Sequence, residues 1–236
     1  MIDYDENEPL IAIHIPKSAG TSVKKVFGRW FHPSAFYRHY YDQEKGRPPR
    51  HVDLRTPREP RMGWIGSVLG LRPRPVCIYG HFPRARGYGI EELFPEVRQF
   101  VTILRDPFET AVSSYHYVRR VGSKWADQSL IPQADLENHL MNKPCRSLDH
   151  FPREVTFENY KQLIDDCFIE IGISEQLEES LKRIALKLGK KFNPAYLGCL
   201  NVTERPRDTP LELRGLHREA NLLEYLVYEH VRDKFN

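Results

Sequence analysis

The sequence predicts an α/β fold in three layers, a central parallel sheet flanked by helices. Three observations predict it. Short apolar runs recur at Leu10 to Ile15, Pro75 to Tyr79, Phe100 to Leu104 and Cys167 to Ile171, each about the length of a buried strand. Segments with helical spacing of apolar residues separate them, the alternation that parallel strands joined by crossover helices require. A chain of 236 residues, 40% hydrophobic and 28% charged, suits one soluble domain, 1–236, with a sizeable core.

The first unit is Ile11 to Lys25, IAIHIPKSAGTSVKK. Its apolar run stops at Pro16, small and polar residues follow, and Val23, Val26 and Phe27 resume at helical spacing. The stretch therefore parses as strand, tight loop and a helix from Thr21 to Trp30. Composition then changes. Residues 31–75 are rich in arginine, proline and aromatics with weak periodicity, and read as a basic excursion holding one short helix near Met62 to Leu69. From Phe31 to Arg86 eleven lysines and arginines face four acids, so the rest of the chain is net acidic. A long loop of this kind suits an acceptor-binding or lid role, and equally a solvated basic loop.

The second run, PVCIY, ends in Gly80-His81-Phe82-Pro83, and the third, FVTIL, ends in Arg105-Asp106-Pro107 before a helical segment from Phe108 to Arg119. The fourth, CFIEI, follows a helical stretch from Phe157 to Asp166. Lys124 to Arg153 is polar and reads as loop with a short helix. Ser174 to Leu188 places Leu177, Leu181, Ile184, Ala185 and Leu188 on one helical face, and Leu216 to Phe235 carries a stripe of Leu222, Leu223, Leu226, Val227, His230 and Val231. Both are core-building helices. Ligands on parallel sheets bind beyond the carboxyl ends of the strands, so the motifs after the first three runs are expected on one edge.

Several function classes are disfavoured. No apolar run is long enough to span a bilayer, and the start MIDYDENEPL is acidic where a signal peptide is basic and then apolar. The expectation is a cytoplasmic protein. Cys77, Cys145, Cys167 and Cys199 are scattered without metal-ligand spacing and read as free thiols. The Asn201-Val202-Thr203 glycosylation pattern carries little weight because no secretion signal is expected before it. A net charge of +3 is too small to imply nucleic acid.

The loop of the first unit has the makings of an anion site. Backbone N–H groups at a helix start lack intrahelical partners and point, with the helix dipole, at whatever sits there. Lys17 adds a positive charge, Gly20 permits close approach, and Thr21 and Ser22 offer hydroxyls and cap the helix. Lys17, Ser18, Ala19, Gly20, Thr21 and Ser22 are thus the expected phosphate-binding residues. The common nucleotide loop GxxxxGK[ST] is different, because its lysine follows the second glycine whereas Lys17 precedes Gly20.

PKSAGTS after a hydrophobic strand resembles the 5′-phosphosulfate loop of sulfotransferases that use 3′-phosphoadenosine 5′-phosphosulfate (PAPS; product PAP). The form HIPKSAGTS is similar to that of the carbohydrate sulfotransferase branch and its bacterial relatives. The resemblance implies a P-loop-like α/β fold and sulfuryl transfer to an acceptor hydroxyl by in-line displacement. In ILRDPFETAVSSYHY, Arg105 and Ser113 occupy the family's 3′-phosphate positions, and a guanidinium fork with a hydroxyl suits a phosphate monoester. His81 falls where the branch places its base, although some members carry paired histidines there and this chain has Phe82. His14 and His116 read as packing or orienting residues, and His32, His39 and His51 as residues that could meet an acceptor. The late segment LNVTERPRD resembles the loop that folds over the nucleotide, which brings in Arg205 or Arg207. The partner is a hydroxyl-bearing acceptor, a carbohydrate, an anionic sugar included, or a small-molecule alcohol; no metal is required by these residues. A P-loop kinase-like phosphotransferase, with Asp106 as its magnesium carboxylate, and a non-catalytic nucleotide or polyanion binder are the alternatives.

Overall fold

Leu10–Ile13 forms β1 with every residue buried, and it lies at the centre of a sheet ordered β2-β3-β1-β4-β5. The computed structural model describes residues 1–40, 75–122, 131–197 and 211–235. The expected helix near Met62, most of the basic excursion, His51, Cys199, Arg205 and Arg207 lie outside the described residues.

The other strands are β2 (Phe36–His39), β3 (Cys77–Gly80), β4 (Gln99–Leu104) and β5 (Phe168–Ile173), and every pairing is parallel. Helices α1 (Gly20–Trp30), α2 (Ile90–Leu93), α3 (Pro107–Val121), α4 (Leu136–Asn142), α5 (Tyr160–Cys167), α6 (Leu177–Lys187), α7 (Leu211–Ala220) and α8 (Leu222–Arg232) are joined among the described residues by short 3-10 turns, Arg84–Arg86 among them. The P-loop-like α/β architecture expected from the sequence is the one observed.

Strand alternation sorts the core into two layers. Leu10, Ala12, Tyr79, Val101 and Ile103 meet Val26 and Phe27 of α1 and Leu181 and Ile184 of α6. Ile11, Ile13, Ile78, Phe100 and Leu104 meet Ile164 of α5 and Val227 and Val231 of α8. Helices therefore cover both faces, as an all-parallel sheet requires. Among the described residues no helix is long and apolar enough to cross a membrane.

Two differences from the sequence reading have physical causes. Phe36–His39 falls in the segment read as an excursion, yet forms an edge strand on β3. One ladder suffices for an edge strand, and four residues are too few to show periodicity. The C-terminal helix read as continuous from Leu216 is broken at Asn221, whose Nδ2 donates to the His217 carbonyl (2.9 Å) while its Oδ1 accepts from the Cys145 N–H (2.7 Å). A side chain that satisfies the end of one helix and anchors a distant loop leaves the apolar stripe intact, so periodicity does not report it.

Asn221→Ala would leave both groups unsatisfied, at about 1–3 kcal/mol for each buried group. Urea denaturation should show a loss of about 2–4 kcal/mol with an unchanged m-value. A loss under about 0.5 kcal/mol, the size of an ordinary surface substitution, would show that Asn221 does not set the break.

Candidate functional site

The parallel register aligns the strand ends. Gly80 stands opposite Ile13 on one side and His39 on the other, so the next residues, His14, Tyr40 and His81, emerge side by side. The His14 N–H donates to the Gly80 carbonyl (2.7 Å) and the His81 N–H to the His39 carbonyl (2.9 Å). A Cβ on Gly80 would stand 1.8 Å from the His39 oxygen. Glycine is what lets β2 come this close.

The loop after β1 is built from an unusual backbone. Lys17 and Ala19 adopt left-handed conformations with φ of 70° and 56°, which cost roughly 1–2 kcal/mol each for residues bearing a Cβ. Such left-handed residues within a turn make the concave arrangement of peptide N–H groups that binds anions. Ala19 is the N-cap of α1, with no side-chain cap and no acid in the first turn. Its carbonyl takes the N–H groups of Ser22 and Val23. Among the described residues, the amides of Ala19, Gly20 and Thr21 donate to no protein acceptor.

Thr21 and Ser22 were expected to cap the helix; they do not. The left-handed Ala19 starts α1 before them, so Thr21 is an exposed first-turn residue and Ser22 is buried. Ser18 is 2% exposed and its Oγ has no hydrogen-bond partner among the described residues. A buried hydroxyl left in this state is costly unless a water or a ligand completes it. The Lys17 ammonium rests 3.8 Å from the centre of the Tyr117 ring on α3, a cation–π contact that holds it over the loop.

Arg105, the first residue past β4, donates from Nη1 to the Lys17 carbonyl at 3.1 Å and stands 3.6 Å from Glu109. It thereby braces the left-handed residue. Asp106 caps α3 by accepting from the Glu109 N–H, and Arg214 of α7 bridges Asp106 (2.9 Å) and Glu109 (3.0 Å). Asp106, the carboxylate considered for magnesium, is thus engaged in a cap and an ion pair. Ser113 lies on the buried face of α3, and the contacts of Arg105 include those to Lys17 and Glu109. His116 is on the same helix and packs against Tyr115.

His81 meets His14, with His81 Nε2 and His14 Nδ1 2.9 Å apart. The Tyr40 hydroxyl lies 3.1 Å from the same His14 nitrogen, and His14 stacks on Tyr79, whose hydroxyl donates to the Gly20 carbonyl at 2.8 Å. On the other side, His150 contacts the His81 ring and its Nδ1 accepts the Phe82 N–H at 3.0 Å. Burial pushes the His81 imidazole down to about 3, aided by His150, His39 and Arg86. His150 is also pushed to about 3, by burial and then His14 and Arg86, and burial with His81, Lys24 and Lys17 holds His14 well below its usual range. These rings are neutral at neutral pH and can accept a proton. An anion bound beside them would raise their basicity.

The structure therefore joins Lys17 to Arg105, and His81 to a histidine read from sequence as packing. Tyr40, Tyr79, Tyr117, His150 and Arg214 join the site without a motif in the sequence to mark them. The signal for Tyr40 is its place one residue past β2, a four-residue edge strand that periodicity does not report.

No protein-family model matches the chain, and neither does any curated protein. Among solved structures it is similar to mouse sulfotransferase SULT7A1 complexed with PAP, at 16% identity over 95% of this chain and 68% of that one, TM-score 0.44. It is also similar to a sulfotransferase from Alicyclobacillus acidocaldarius, at 14% identity over 94% of this chain and 96% of that one, TM-score 0.44.

The depressed histidines set a pH dependence. Unfolded histidines titrate near 6.5, whereas folded His81 and His150 do so near 3, so between these values the unfolded state binds more protons. Stability from this source is complete above about pH 6.5 and falls as pH drops toward 3. His150→Asn, whose amide oxygen can still accept the Phe82 N–H, should make the slope shallower by up to about 1.4 kcal/mol per pH unit. Urea midpoints between pH 7 and 4.5 measure this, and identical slopes would contradict it.

Proposed function

We propose that the protein is a PAPS-dependent sulfotransferase that transfers a sulfuryl group to an acceptor hydroxyl. The observation that supports it best is the meeting, on one sheet edge, of an amide-lined loop bearing Lys17 with the half-buried His14–His81 pair. The cradle fits an anionic group. Among the described residues Ser18 Oγ has no hydrogen-bond partner, the Ala19, Gly20 and Thr21 amides donate to no protein acceptor, and the first turn of α1 carries no acid.

In this reading Lys17, Ser18 and the amides of Ala19, Gly20 and Thr21 hold the 5′-phosphosulfate, with Ser22 behind them in the first turn. Arg105 fixes the loop through the Lys17 carbonyl and, with Ser113, holds the 3′-phosphate. When bound, PAPS supplies the sulfuryl group and an anionic leaving phosphate. Lys17 and the loop amides are preorganised toward the charge that develops there, the largest single contribution in transfers of this type. His81 takes the proton of the acceptor hydroxyl.

The acceptor class is a carbohydrate or a small-molecule alcohol. The HIPKSAGTS form supports the carbohydrate branch. A groove of about 680 Å³ opens at the Arg84–Arg86 turn that follows His81, lined by Arg84, Arg146, Asp149, Phe157, Leu222 and Glu224. Its mixed polar and apolar lining suits a polyhydroxylated ligand, and its size falls within the usual range for small-molecule sites.

Turnover tests the reading. With PAPS labelled in its sulfate and a panel of sugar and phenolic alcohols, the wild type should release PAP in an acceptor-dependent manner. His81→Ala should lower kcat by about 10²–10⁴-fold and leave PAP affinity within about threefold, less than 1 kcal/mol. A wild type that binds PAP but never releases it from PAPS would make the protein a binder. A His81→Ala variant with wild-type kcat would remove His81 from the mechanism.

A further inference from the structure

His14 is placed to govern His81, and its contacts decide how. Its Nδ1 lies between two groups able to donate, His81 Nε2 at 2.9 Å and the Tyr40 hydroxyl at 3.1 Å. Its other nitrogen, Nε2, lies against Gly20: a Cβ built there would stand 1.6 Å from it. Among the described residues neither His14 Nε2 nor His81 Nδ1 has a hydrogen-bond partner, and neither is a fully enclosed orphan.

One proton lies between the two rings, so two arrangements are possible. If His14 Nδ1 carried it, the His14 Nε2 lone pair would face the loop whose amides and lysine are arranged for an anion, and would repel that anion. The His81 Nε2 lone pair would then be consumed by His14, and the open His81 nitrogen would bear a hydrogen and could not act as a base. If His81 Nε2 carries it, both faults vanish. His14 Nδ1 accepts, His14 Nε2–H faces the anion loop as a donor, and His81 Nδ1 presents a lone pair to the acceptor side.

Resting on the sulfotransferase reading, we infer that His14 is the positioning residue of the base: it accepts the His81 Nε2–H and so holds His81 in the tautomer whose Nδ1 is open to the acceptor hydroxyl. When His81 Nδ1 takes the hydroxyl proton, the imidazolium that forms keeps its Nε2–H on His14 Nδ1, which stabilises the new charge. A third group orienting the base in this way is the logic of catalytic triads, with a neutral imidazole in place of a carboxylate. The ring is itself fixed. It stacks on Tyr79 and sits on Gly20, and the Tyr79 hydroxyl ties back to the Gly20 carbonyl. The same residue therefore links the anion loop to the base, and a change at the loop is felt at His81. Around the pair stand Tyr40, Tyr79, His39, His150 and Arg86, with Lys17 and Lys24 beyond, and no carboxylate among them competes for the His81 proton.

Long-range proton–nitrogen spectra of the full chain labelled in histidine report the tautomer directly, with His14→Asn and His81→Asn providing assignments. The expected result is His81 protonated at Nε2 and bare at Nδ1 in the wild type, with or without PAP. His14→Leu should redistribute that tautomer and lower kcat by about 100-fold or more, with acceptor KM changed much less. His14→Asn, whose amide oxygen can stand near the lost Nδ1, should recover much of both. His81 protonated at Nδ1 in the wild type, or His14→Leu with unaltered tautomer and turnover, would overturn the inference. The tautomer is read in the absence of substrate. A wild type with the expected tautomer but no turnover of PAPS would therefore refute the sulfotransferase reading and leave the histidine pairing standing.

Discussion

The contact on which the site depends is the His14 imidazole lying on Gly20. There is no room between them for one carbon atom, so the first residue of α1 is glycine because a ring must pass over it. That ring belongs to the residue leaving β1, and it is the ring that reaches His81. Strand end, helix start and the end of β3 are thereby locked into one unit. Tyr79 closes the circuit, stacking under His14 and donating to the Gly20 carbonyl. The arrangement needs few charged groups, because most of its cohesion comes from ring packing and backbone hydrogen bonds in the sheet.

The second constraint is the loop backbone. Two left-handed residues that are not glycine represent stored strain, tolerated where surrounding structure over-determines them. Here the determinants are visible: Arg105 on the Lys17 carbonyl, Tyr117 under the Lys17 ammonium, and the Ala19 carbonyl taken by the first turn of α1. Arg105 is held in turn by Glu109, and Glu109 by Arg214 from α7. A chain of ion pairs thus runs from the C-terminal helices to the anion loop. Strain at a concave, amide-lined turn is a way of keeping N–H groups pointed at a ligand in advance of its arrival.

Much of this was legible in the sequence, for identifiable reasons. β1, β3, β4 and β5 announce themselves as apolar runs because a parallel sheet buries both faces. The loop announces itself because PKSAGTS interrupts such a run with a lysine, a glycine and hydroxyls. His81 and Arg105 are placed just past strand ends by the same runs, while the roles expected of them rest on the resemblance. What was not legible is what depends on lateral neighbours. β2 is four residues of edge strand within a stretch that otherwise lacks periodicity, and without it Tyr40 has no address. The pairing of His14 with His81 requires the register of β1 on β3, which no local pattern encodes. The capping expected of Thr21 and Ser22 failed because the left-handed Ala19 moved the helix start, a backbone conformation that alanine does not advertise. Glu170, fully buried in β5 and held by Arg183 of α6, shows the same limit: its partner lies on another element.

Calorimetric titration of the protein with adenosine 3′,5′-bisphosphate, with ATP and magnesium in parallel, separates sulfuryl from phosphoryl transfer at this loop. The bisphosphate should bind at least about tenfold more tightly than ATP, a difference of roughly 1.4 kcal/mol, and Lys17→Ala should weaken it. Binding of ATP with magnesium and none of the bisphosphate would rule out a PAPS site and turn the same loop over to phosphoryl transfer.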